Sequence, residues 1–158
     1  MTSRVLVALR IQAPPERVFE AFVGEIDRWW RPNGLFQFTG GRTGQMAFEP
    51  GPDGRLTETY DDGSVFEIGR IRAWEPPSRL VLGWRQASFS DGQETEVHVR
   101  FEPVGDETRV TVEHFGWDTI PQDHVARHGF PLFVFQQRHA EWWRTLLEAL
   151  REQVRGAA

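Results

Sequence analysis

The stretch RIRAWEPPSRLVLGWR, Arg70 to Arg85, decides the fold. Its Pro76-Pro77 pair fixes two φ angles, removes two amide donors and pushes the preceding residue into extended backbone, so it cannot lie inside a helix or a central strand. On either side the apolar residues fall at every second position, Ile71 and Ala73 before the corner and Leu80, Leu82 and Trp84 after it. That is the period of strands with one buried face. In this register Trp74 has the parity of Arg70 and Arg72, so it is expected to face outward and cap the corner beside Pro76.

Working outward from the corner, strand signals dominate the middle of the chain. GGRTGQ, EPGPDG and DDGS are turn clusters, and the segments between Leu35 and Phe101 are mostly of strand length, which predicts an antiparallel meander. Thr95, Val97, Val99 and Phe101 alternate in one strand, and Val110, Val112 and His114 alternate in the next. Ahead of the meander, Val5, Val7, Leu9 and Ile11 form a first strand, and APPERVFEAFV follows with prolines where a helix begins and Val18, Phe19 and Phe22 on one stripe. EIDRWWRPNG reads as a second short helix ended by Pro32 and Gly34. After HFGWDTIPQD the period changes: Phe135, His139, Trp142, Trp143, Leu146, Leu147, Leu150 and Val154 recur every three or four residues, one long amphipathic helix. A helix with an apolar stripe following a curved sheet packs across its concave side, giving an α+β architecture.

Composition narrows the function. The 158 residues suit a single domain, 1–158, able to bury roughly 70% of its unfolded surface. Seven Trp and twelve Phe exceed the needs of a minimal core, so an apolar and roomy interior is expected. All 18 basic residues are Arg, interspersed with carboxylates at a net charge of −5, which leaves no basic stripe for nucleic acid. The chain has no Cys, hence no disulfide framework and no thiolate chemistry. No 18 apolar residues run together and Val5 to Leu9 lacks a cleavage site, so neither a membrane span nor export is expected and a cytoplasmic protein is.

These segments resemble the START-like or Bet v 1-like (SRPBCC) superfamily, in particular its branch related to the activator of heat-shock ATPase. The resemblance rests on APPERVFEAF, on DGSVFEIGRIRAWEPPSRLVLGWR with its Glu-Pro-Pro-x-x-Leu-Val corner, on VEHFGW, and on the aromatic-rich C-terminal helix. It implies a helix-grip fold, a curved antiparallel sheet wrapped around that helix, with a cavity between them and two short helices at its mouth. Members bind apolar ligands, act as cyclases or hydrolase-like enzymes, or assist chaperones, so the fold alone does not choose among these. No catalytic residue carries over.

The expected ligand wall comprises Trp29, Trp30, Tyr60, Trp84, His114, Phe135, His139 and Trp142. Trp84 shares a face with Leu80 and Leu82, while Trp142 and Trp143 lie mid-helix; a filled aromatic core is the competing reading. His114 and His139 both point inward, and two imidazoles could orient a ligand carbonyl or phenol, or act on it as acid and base. Core histidines satisfied by neighbouring groups are the alternative. Glu58 and Tyr60 share a strand face and offer a polar anchor opposite His114, or else line a solvated edge. Trp29 and Trp30 gate the mouth, with one of them packed inward. Asp123, His124 and His128 have a spacing that mimics metal ligands but lack a third ligand, so no metal is assigned and a solvated loop is expected. GGRTGQ lacks the Lys-Ser/Thr of a phosphate cradle, so no cofactor is assigned. The first expectation is a binding protein for a small apolar or aromatic molecule. A cyclase- or hydrolase-like enzyme and a chaperone-interaction domain are the alternatives, and a homodimer is compatible with each.

Overall fold

The computed structural model describes residues 3–156, and its order of elements follows the sequence pattern. Strand β1 (Arg4–Ile11) is followed by helices α1 (Pro15–Gly24) and α2 (Ile26–Trp29). Then come β2 (Gln45–Phe48), β3 (Arg55–Thr59), β4 (Val65–Glu75), β5 (Arg79–Trp84), β6 (Thr95–Val104) and β7 (Glu107–Phe115). Two 3-10 turns, Trp117–Thr119 and Val125–Arg127, lead into the long helix α3 (Leu132–Gly156).

All strand pairings are antiparallel, in the order β1-β7-β6-β5-β4-β3-β2, so the meander is complete and β1 closes onto β7. The sheet curls around α3, the helix-grip arrangement. Its curvature needs glycine where β4 meets β5: a Cβ on Gly69 would stand 1.7 Å from the Gly83 carbonyl oxygen, so only glycine lets the strands approach. The inward alternation Val97, Val99, Phe101 on β6 and Val110, Val112, His114 on β7 faces the stripe Phe135, His139, Trp143, Leu146, Leu150 of α3, and all of these are buried.

Two local expectations are corrected. The pairing of β4 with β5 shifts between Ile71 and Ala73, and this bulge places Trp74 opposite the inward-facing Leu80. A single extra residue reverses parity beyond it. Trp74 therefore turns in, half-buried, with its ring edge-on to Phe19 at 5.2 Å. Helix α2 stops at Trp29, earlier than Pro32 suggests, because Trp30 is already extended at φ −60° and ψ 136°. The break sends the two neighbouring indoles to different places.

Candidate functional site

The aromatic interior divides into two groups. Around α1, Phe22 packs on Trp29 at 5.1 Å and on Phe101 at 5.7 Å, and the Trp29 indole donates to the Ala21 carbonyl at 2.9 Å. Trp29 thus belongs to the structural core beneath α1 and does not gate a mouth. Trp30 swings toward α3, 5.4 Å from Trp142 and 6.0 Å from Trp84. It joins the second group, which holds the histidines.

His114 is fixed by a directed relay. The Trp143 indole N–H donates to its Nδ1 at 3.2 Å, which leaves the proton on Nε2 to be given to Thr95 Oγ1 at 2.8 Å. Thr95 in turn donates to the Trp84 carbonyl at 2.8 Å. One chain of hydrogen bonds ties α3, β7, β6 and β5 together, and every ring nitrogen of His114 is used. Burial, and secondarily the neighbouring His139, hold this imidazole well below its usual pKa, so it is neutral.

His139 is different. It is fully buried, and among the described residues neither Nδ1 nor Nε2 has a hydrogen-bond partner. Its ring stands 4.5 Å from Phe36, 4.8 Å from His114, 5.3 Å from Trp117 and 5.5 Å from Trp142. Burial lowers its pKa to about 3. The adjacent Trp117 is also fully buried, with an indole N–H that has no partner among the described residues. Each unpaired buried polar group costs about 1–3 kcal/mol, and folded proteins rarely keep several together. Phe135 lies against Trp117 at 4.7 Å and Phe36 at 5.6 Å, closing the cage.

Of the two readings of the interior, a lined cavity and a filled aromatic core, the packing matches the filled core. Trp30, Phe36, Phe38, Trp84, Trp142 and Trp143 fill the space between sheet and helix. The gap at its rim, bounded by Trp30, Phe36, Phe38, Glu58 and Trp142, measures about 10 Å³. That is no more than one water. Phe36, whose ring stacks on Trp142 at 5.2 Å, comes like Trp30 and Phe38 from the irregular segment between α2 and β2, so half of these six rings belong to no strand or helix.

Tyr60 lies apart from the histidines. Its hydroxyl donates to Glu58 Oε1 at 2.5 Å and stands 2.6 Å from Thr39 Oγ1, with the Arg42 guanidinium 4.2 Å from its ring centre. Burial, with the Glu58 contact, pushes its pKa up to about 12. β3 is an interior strand, so this face is not a solvated edge; Glu58 also accepts from the Gly44 amide at 3.1 Å. The pair anchors the segment that carries Phe36 and Phe38. His124 and His128 flank a 3-10 turn and bond separately, to the Ser88 and Leu35 carbonyls. Among the described residues no group of three or more His, Asp or Glu converges as metal ligands. Nor is any helix of the described residues long and apolar enough to cross a membrane.

A family model described as "Activator of Hsp90 ATPase homolog 1-like protein" matches residues 12–155. The chain belongs to this Aha1-like family. No curated protein matches it. Among solved structures, this Aha1-like chain is similar to a protein from Mesorhizobium loti, with 21% identity, 99% and 98% of the two chains covered and a TM-score of 0.65. It is similar in fold to an Hsp90 activator from Plasmodium falciparum, with 17% identity, 96% and 95% covered and a TM-score of 0.66. A third similar structure is an anthrahydroquino-gamma-pyrone synthase, Txn09, with 31% identity, 84% and 83% covered and a TM-score of 0.52.

Of the side chains that make the site, Phe36, Phe38, Trp117 and Thr95 escape the sequence reading. Phe36 and Trp117 sit in segments without period. Thr95 was read as a strand residue, and nothing in its spacing shows that it bridges His114 to Trp84.

Proposed function

We propose that this protein binds a planar aromatic molecule bearing hydroxyl or carbonyl groups between sheet and α3, its polar edge on His139 and Trp117, in the place taken here by the Phe36 ring. The observation that carries this reading is the unpartnered His139 imidazole. Neutral, it offers one donor and one acceptor, and Trp117 offers a second donor, a set matched to a phenol beside a carbonyl. The surrounding indoles and phenyl rings supply flat apolar contact. The 31% identity to a synthase whose name carries an anthrahydroquinone supports an aromatic ligand of this kind.

Recognition fits the geometry better than acid–base catalysis. A base with a pKa of about 3 is poorly matched to proton transfer near neutrality, and His114 is committed on both nitrogens. A chaperone-facing role, the alternative that the family match keeps compatible, would call for a contiguous apolar patch.

The test is a titration with 1,8-dihydroxyanthraquinone followed by tryptophan emission. Saturable quenching is expected, tighter in Phe36→Ala, where no ring must be displaced, and at least tenfold weaker in His139→Leu. Absence of saturable quenching in both the wild type and Phe36→Ala would overturn the reading.

A further inference from the structure

Far from the aromatic interior, a groove of about 730 Å³ opens where the end of β1, the start of α1, the start of β7 and the last turns of α3 meet. Arg151 lies roughly 18 Å along α3 from His139, twelve residues at about 1.5 Å each, so the groove is separate from the site proposed above. Arg10, Arg17, Arg151 and Arg155 line it, with Glu107 the one carboxylate among the lining residues.

These arginines are not equivalent. Arg17 is held by Glu25 at 2.6 Å, Arg155 by Glu152 at 3.3 Å, and Arg10 reaches Glu107 only at 3.6 Å. Arg151 has no ion pair or side-chain hydrogen bond among the described residues, and its Nε is buried without a partner. The chain has 23 acidic residues against 18 arginines, so a shortage of carboxylates does not explain this cation. A half-buried guanidinium with no counter-ion among the described residues, facing a concavity flanked by further cations, is an arrangement that an incoming anion completes.

We infer that the groove binds a small organic anion, a carboxylate on an apolar body, with the carboxylate on Arg151 and flanked by Arg10 and Arg155. The planar guanidinium fork matches a carboxylate in two parallel hydrogen bonds. Ala13, Pro14 and Val154 give the groove an apolar side, and its volume suits a ligand-sized molecule better than a bare ion. The contact is a charge pair in a groove open to solvent, so binding weakens as salt is raised.

The experiment titrates the full chain with decanoate, decanamide and inorganic phosphate, followed by amide and indole NMR shifts. Decanoate is expected to saturate and to move the amides of Ile11, Ala13, Glu107 and Val154 while leaving the Trp142 and Trp143 indole signals in place. Arg151→Gln should weaken it at least tenfold and Arg155→Gln by less, both remaining folded by their amide spectra; His139→Leu should leave it unchanged. Decanamide binding equal to decanoate, undiminished affinity in Arg151→Gln, or shifts confined to the interior indoles would overturn the site. Phosphate binding as tightly as decanoate would overturn the apolar body.

Discussion

The Trp143 indole donates to His114 Nδ1 at 3.2 Å, and this one bond decides which of two adjacent histidines is free. With Nδ1 an acceptor, His114 must donate through Nε2 to Thr95, and no atom of it is left for a ligand. His139, 4.8 Å away ring to ring, has no such claim on it.

The relay should be sensitive to its smallest member. Thr95→Val keeps the shape but removes the hydroxyl, leaving His114 Nε2–H unpaired in the core and the Trp84 carbonyl without its side-chain donor. Denaturant unfolding should show a loss of about 1–3 kcal/mol. A neutral substitution would contradict the relay.

His139→Leu should do the opposite. Replacing an unpartnered buried imidazole by an apolar side chain of similar volume removes its desolvation penalty, so stability should rise by about 1–3 kcal/mol even as ligand binding is lost. A loss of stability in the same assay would mean that the ring has a partner within the fold.

Acid should weaken the fold before the carboxylates titrate. The unfolded chain takes up protons on these imidazoles below about pH 6.5, whereas His139 in the fold resists protonation down to about 3. Folded pKa values below the unfolded ones mean stability that is full above about pH 6.5 and declines as pH falls, by about 1.4 kcal/mol per unit for each such imidazole. The one titratable ring in contact with His139 is His114, itself held neutral by burial. Unfolding free energies between pH 6.5 and 5 should show this slope, reduced by one proton in His139→Leu; a flat profile would contradict the buried neutral pair.

Sheet curvature has its own test. Gly69→Ala drives a methyl group into the Gly83 carbonyl and should cost about 3 kcal/mol or more, whereas Gly24→Ala, with no atom within 4 Å of the added Cβ, should change stability little. Equal effects in thermal melts would show that the strands do not need the close approach.

The architecture was legible wherever a period was long and clean. Alternation through β6 and β7 and the three-and-four spacing of α3 are enough to place His114 and His139 on facing surfaces. Trp74 was misread because one bulged residue in β4 inverts parity and leaves no mark in the alternation. Phe36 and Trp117 were missed because irregular segments carry no period from which a facing direction follows. Whether the interior was open or filled depended on how rings from five elements interdigitate, a three-dimensional fact with no sequence counterpart. Surplus aromatics predict a wall or a core equally well.

The most direct measurement is the imidazole nitrogen spectrum of histidine-labelled protein at neutral pH, without and with saturating 1,8-dihydroxyanthraquinone. The expected result is two neutral buried rings, of which His139 alone shifts toward hydrogen-bonded values as the ligand binds while His114 stays in place. A His139 signal that is unmoved at saturation, or that titrates near pH 6.5 like an exposed histidine, would contradict the site.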